Sequence, residues 1–127
     1  MRQLLGVSLA LLAGIVVGGG LVQGLHAQAK PPAFVIAENE VLDPKAFAPY
    51  AAGVAATFAP FSGRFIVRGA TATMLQGDPP KGRFAVIAFD SVEKAKAWYE
   101  SPAYQEIKPI RLKSANSRLM ILEGVAN

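Results

Sequence analysis

A chain of 127 residues, 52% hydrophobic and 17% charged, has room for one domain of ordinary size rather than two. It contains no cysteine, which excludes a disulfide framework, a thiol nucleophile and a zinc–thiolate centre. The net charge of +4 is scattered over isolated residues and pairs such as Arg64 and Arg68. Nucleic-acid binding needs such charge clustered on one face, so no nucleic-acid partner is expected.

Residues 1–29 read as a secretory signal. Arg2 supplies the positive start, Leu4 to Val17 the apolar stretch, and Ala27-Gln28-Ala29 a small-residue cleavage site. An uncleaved anchor is the alternative. No charge falls between Arg2 and Lys30, and the apolar run to Val22 approaches the roughly 20 residues that span a bilayer. Gly14 and Gly18 also match G-x-x-x-G. Either way the domain, 30–127, lies outside the cytoplasm. It is periplasmic or secreted after cleavage, and meets the membrane only if the leader is retained.

Beyond the stiff Lys30-Pro31-Pro32 lead-in, Phe34 to Val41 alternates as a strand does. Asp43-Pro44 opens a helix with a cap and a proline at the first position. Phe47, Tyr50, Val54 and Phe58 form its buried stripe, and Pro49 predicts a kink or a delayed start. Gly63 to about Leu75 reads as a second strand. The turn-rich segment from Gln76 to Gly82 leads into a third, Arg83 to Phe89. Asp90, with Glu93 three residues on, predicts the cap of a second helix whose inner face is Val92, Ala95 and Tyr99. Ser101-Pro102 breaks that helix, a short one follows through Ile107, and Pro109 stops it. Arg118 to Glu123 is the last strand. The order is β-α-β-β-α-β, the split pattern of an α+β ferredoxin-like domain with a four-stranded antiparallel sheet and its helices on one face.

Two helices cover only one face of such a sheet, yet the third strand, Phe84 to Phe89, is apolar on both. The expected helix-covered set is Phe65, Val67, Ala85, Ile87, Phe89, Met120 and Leu122. The opposite face is expected to carry Ile36, Glu38, Ile66, Arg68, Phe84, Val86, Leu119, Ile121 and Glu123. That face is too apolar for water and too charged for a dry core. A second copy packed across a shared cavity satisfies both facts, so a homodimer is expected.

The only histidine, His26, belongs to the leader. The domain therefore has no histidine base, no Ser-His pair and no imidazole ligand. Neither a metal site nor a cofactor is expected. Glu38, Arg68 and Glu123 on the open face are the candidate rim of a ligand cavity, Glu38 and Arg68 its ligand contacts, or in an enzyme the candidate catalytic group, a carboxylate base beside a guanidinium that steadies an anion. The alternative is a buried ion-pair network at the dimer seam. Tyr99 and Tyr104 are candidate ligand contacts, or core aromatics with bonded hydroxyls. Arg111, just past the Pro109 stop, is a candidate for an anion, or else pairs with Glu106 or the last helix carbonyls.

The segment Trp98-Tyr99-Glu100-Ser101-Pro102-Ala103-Tyr104, continuing to Arg111, is too specific for an anonymous amphipathic helix. With Gly63 to Gly69 upstream and Glu123-Gly124 downstream, it resembles the domain-of-unknown-function 1330 family over Phe34 to Val125. The resemblance implies a small ferredoxin-like domain of the dimeric α/β-barrel superfamily, and no reaction. Three functions stay open: a small-molecule-binding module with an apolar cavity at the sheet face, a cofactor-free monooxygenase- or isomerase-like enzyme, and an interaction protein whose sheet face is only a seam.

Overall fold

The computed structural model describes residues 30–126; the expected leader lies outside them. Strand β1 (Ala33–Val41) buries Ala33, Val35 and Ala37 while its alternate residues stay half-buried. Helix α1 (Pro44–Phe58) starts where the sequence places it. The Asp43 carboxylate accepts from the Ala46 N–H at 3.1 Å, satisfying a donor that the first turn leaves free. The helix is continuous through Pro49 and buries Tyr50, Val54, Thr57 and Phe58, with Phe47 half-buried.

A short 3-10 turn (Ala59–Phe61) leads to β2 (Arg64–Ala70). This strand ends five residues earlier than expected. Gly69 has φ +63°, a left-handed backbone at a register shift after which Ala70 makes the last pair, with Phe84, and residues 71–82 follow as an irregular, mostly exposed loop. Strand β3 (Arg83–Phe89) keeps its expected bounds. Helix α2 (Val92–Glu100) is capped by Ser91, not Asp90. The Ser91 hydroxyl accepts from the Lys94 N–H at 3.2 Å, and Asp90 instead pairs with the Lys94 side chain at 3.4 Å. That later start puts Ala95 and Trp98 on the buried face, with Val92 and Tyr99 only half-buried.

Helix α3 (Pro102–Ser114) departs most from expectation, running straight through Pro109. Pro109 and Gln105 both lie on the exposed side, where the carbonyl that loses its helical donor is open to water. Ser101 caps this helix by accepting from the Tyr104 N–H at 3.3 Å. Strand β4 (Ala115–Glu123) follows without a loop.

The four strands form one antiparallel sheet in the order β2-β3-β1-β4. This is the α+β ferredoxin-like arrangement, with its second helical connection split in two. The core lies between the sheet and the helices. Phe58 meets Phe65 and Trp98 edge-on at ring distances of 5.0 and 6.1 Å, and Trp98 Nε1 donates to Thr57 Oγ1 at 2.9 Å.

Register decides which side chain faces which layer. Val35 lies opposite Ile87 and Ile121, and Ala37 opposite Ala85 and Leu119; these face the helices. Phe34 lies opposite Leu122, Ile36 opposite Val86 and Met120, and Glu38 opposite Phe84 and Arg118; these make the open face. The predicted assignment of β4 is therefore reversed. Leu119 and Ile121 point to the helices, Met120 and Leu122 to the open face, and Glu123, opposite Ala33, leaves the open face altogether. In β2 a register shift follows Phe65 and sets Val67 opposite Val86. The shift flips the later residues, so Val67 joins the open face and Arg68 moves to the helix side.

A cavity under the first helix and the open sheet face

A cavity of about 260 Å³ lies between α1 and the sheet. Val54 of α1, Ala37, Ile87 and Leu119 of the sheet, and Trp98 of α2 form its apolar body. Tyr50 and Phe65 complete the wall, and Asn39, Arg68 and Arg83 supply its polar lining. Among the described residues the lining includes no acidic side chain. Arg68 stacks its guanidinium 5.0 Å from the Phe65 ring centre, a cation–π contact that follows from the flipped parity in β2.

Behind the Tyr50 wall is a buried polar chain. Arg111 is 4% exposed, and its Nε donates to Tyr104 Oη at 3.2 Å. Tyr104 Oη lies 2.9 Å from Tyr50 Oη, and the Arg111 guanidinium sits 6.0 Å from the Tyr50 ring centre. Tyr104 and Arg111 meet because α3 does not stop at Pro109. Seven residues apart on one helix, they lie two turns apart on the same face. Among the described residues no acid pairs with Arg68, Arg83 or Arg111. Burial works against the Arg111 charge, but the phenols of Tyr104, Tyr50 and Tyr99 outweigh it and raise its pKa. Burial, reinforced by Tyr104, pushes the Tyr50 phenol far up, so it stays protonated.

The open face carries Phe34, Ile36, Phe84, Val86, Met120 and Leu122, the last two 43% and 51% exposed. Its far end is charged. Arg118 donates to Glu38 Oε1 through Nε at 2.9 Å and Nη2 at 2.7 Å. That bond holds the Glu38 carboxyl below the usual carboxylate range, against a smaller opposing effect of burial, with the Gly82 N–H adding to the shift.

The expected trio is thus separated. Glu38 is on the open face and bonded to Arg118, Arg68 is at the cavity on the other side of the sheet, and Glu123 is at the exposed end of β4. Tyr104 is fully buried, and Tyr99 is half-buried against it with ring centres 5.1 Å apart. Arg111 joins Tyr104 and Tyr50, not Glu106. Tyr50 is the cavity residue that a stripe of apolar spacing conceals; its hydroxyl distinguishes it from Phe47 and Phe58. Among the described residues no three His, Cys, Asp or Glu side chains gather as a metal would need.

Residues 32–125 match the model of the domain of unknown function DUF1330. The chain belongs to that family. Among solved structures it is similar to a protein of unknown function from Rhodopseudomonas palustris, with 18% identity and a TM-score of 0.63. That match covers 85% of this chain and 94% of the other. It is also similar to SnoaB, a cofactor-independent oxygenase from Streptomyces nogalater, with 15% identity and a TM-score of 0.53 over 76% of this chain and 96% of that one. At these identities the likeness is one of fold, the α+β ferredoxin-like arrangement. No curated protein matches the chain.

Proposed function

We propose that this DUF1330 domain is an exported homodimer that binds a small, largely apolar molecule in the cavity under α1. The observation that carries the reading is the 260 Å³ space walled by Val54, Ile87, Trp98 and Leu119. Ligand pockets run roughly from 300 to 1,000 Å³, so this one suits a compact guest of one or two rings. The uncovered apolar face of β1, β3 and β4 supports pairing with a second copy, since water is a poor neighbour for so much hydrocarbon. Binding thus moves from the sheet face, where the sequence places it, to the helix side, while the sheet face keeps the role of seam. Export rests on the leader pattern.

Native mass spectrometry of protein purified from its own envelope tests all three parts. The expected spectrum shows a dimer, a mass lacking residues 1–29, and a bound small molecule lost on activation. A bare monomer of unprocessed mass would contradict the reading.

The fold shared with SnoaB favours a second reading, a cofactor-independent oxygenase acting on the same guest. The Glu38 base expected for such an enzyme gains no support from this geometry, since its carboxylate lies across the sheet and is held by Arg118. Oxygen consumption on turnover of a retained ligand would favour the enzyme; its unchanged release would favour the binder.

A further inference from the structure

Three guanidinium groups stand at or behind a cavity whose lining, among the described residues, holds no carboxylate. Arg68 and Arg83 belong to the lining, and Arg111 reaches its wall through two phenols. Donor counting favours one direction in that relay. Arg111 Nε only donates, so Tyr104 Oη accepts from it. The Tyr104 hydroxyl is fully buried, and a buried hydroxyl hydrogen needs an acceptor. The one at hand is Tyr50 Oη, 2.9 Å away. Either hydroxyl can donate in that pair; with Tyr104 donating, Tyr50 accepts and its own hydrogen is left for an acceptor outside the pair. Tyr50 also lines the cavity.

We propose that the cavity selects an apolar acid: a compact ring system bearing one carboxylate or acidic enol, whose oxygen accepts the free Tyr50 O–H. The chain of donors Arg111, Tyr104 and Tyr50 is polarised toward that oxygen by the buried cation, and successive bonds of this kind strengthen one another. Arg68 and Arg83 draw the anion in, and the hydrocarbon body of the cavity holds its ring. A neutral hydrocarbon of the same shape fills the space but leaves the hydroxyl without an acceptor and Arg68 and Arg83 without an anion. This inference rests on the cavity being a binding site, as proposed above.

Trp98 is the chain's only tryptophan and lines the cavity, so its fluorescence reports occupancy. The test titrates the purified protein with 4-ethylbenzoate and, separately, with 4-ethyltoluene. The expected result is benzoate binding about tenfold tighter or more, the scale of a hydrogen bond to a charged group. Tyr50→Phe should lower the ratio of the two affinities about tenfold, and Tyr104→Phe, which interrupts the relay one step earlier, should lower it too. Equal affinities in the wild type, or a ratio that Tyr50→Phe does not move, would overturn the acid selectivity and leave a binding cavity standing. If neither probe perturbs Trp98, the cavity is no binding site and both readings fall. Should either variant fold poorly, a crystal of the wild type soaked with 4-ethylbenzoate decides. A carboxylate within hydrogen-bond distance of Tyr50 Oη supports the proposal, and one elsewhere or none overturns it.

Discussion

At the scale of single residues, Glu38 and Thr57 show how a bonded polar group shapes its surroundings. Arg118 stabilises the ionised form of Glu38, so the folded pKa lies below the unfolded one. The stability this bond supplies is present above the unfolded value of 4.5 and is lost as pH falls through the folded value. Carbon-detected titration should find Glu38 ionising below that value, and Arg118→Ala should bring it back up. Thr57 accepts the Trp98 indole N–H in the middle of the core. Thr57→Val keeps the shape but strands that donor, and should lower stability by about 1–3 kcal/mol in chemical denaturation. Gly82 is constrained by space: a Cβ there would stand 2.5 Å from the Asn39 carbonyl carbon. Gly82→Ala should therefore cost about 1–3 kcal/mol, measured as a lower melting temperature.

Elements differ in how far they can be read from their own residues. The start of α1 is legible because Asp43 and Pro44 carry the cap locally. The bounds of β3 are legible because an unbroken apolar run sits between turn residues. The parity of β4 is not. Leu119, Met120, Ile121 and Leu122 are apolar in succession, so nothing in the strand says which pair faces the helices; only its register against β1 does. The shift after Phe65 is equally silent, since it arises from pairing with β3. It alone moves Arg68 from the open face to the cavity. Helix α3 hides its length behind Pro109, and with it the alignment of Arg111 with Tyr104. The candidate site was therefore legible as residue types, while its assembly depended on three elements whose geometry is tertiary.

For the molecule as a whole, the proposed pairing would rest on the open sheet face. Met120 and Leu122 stand beside Ile36 and Phe34 on a surface that a single chain leaves wet. Met120→Glu should leave the single chain folded, because the side chain is already 43% exposed. It should weaken pairing at least about tenfold, since a desolvated charge costs more than 1.4 kcal/mol. Sedimentation would read this directly, and a wild type that sediments as one chain at high concentration would remove the seam. The cavity lies on the helix side of that sheet, opposite the proposed seam. In the proposed dimer each copy would then keep a vestibule of its own. If both proposals hold, a mutation that divorces the twins should not evict the guest, and occupancy and partnership should be abolished one at a time.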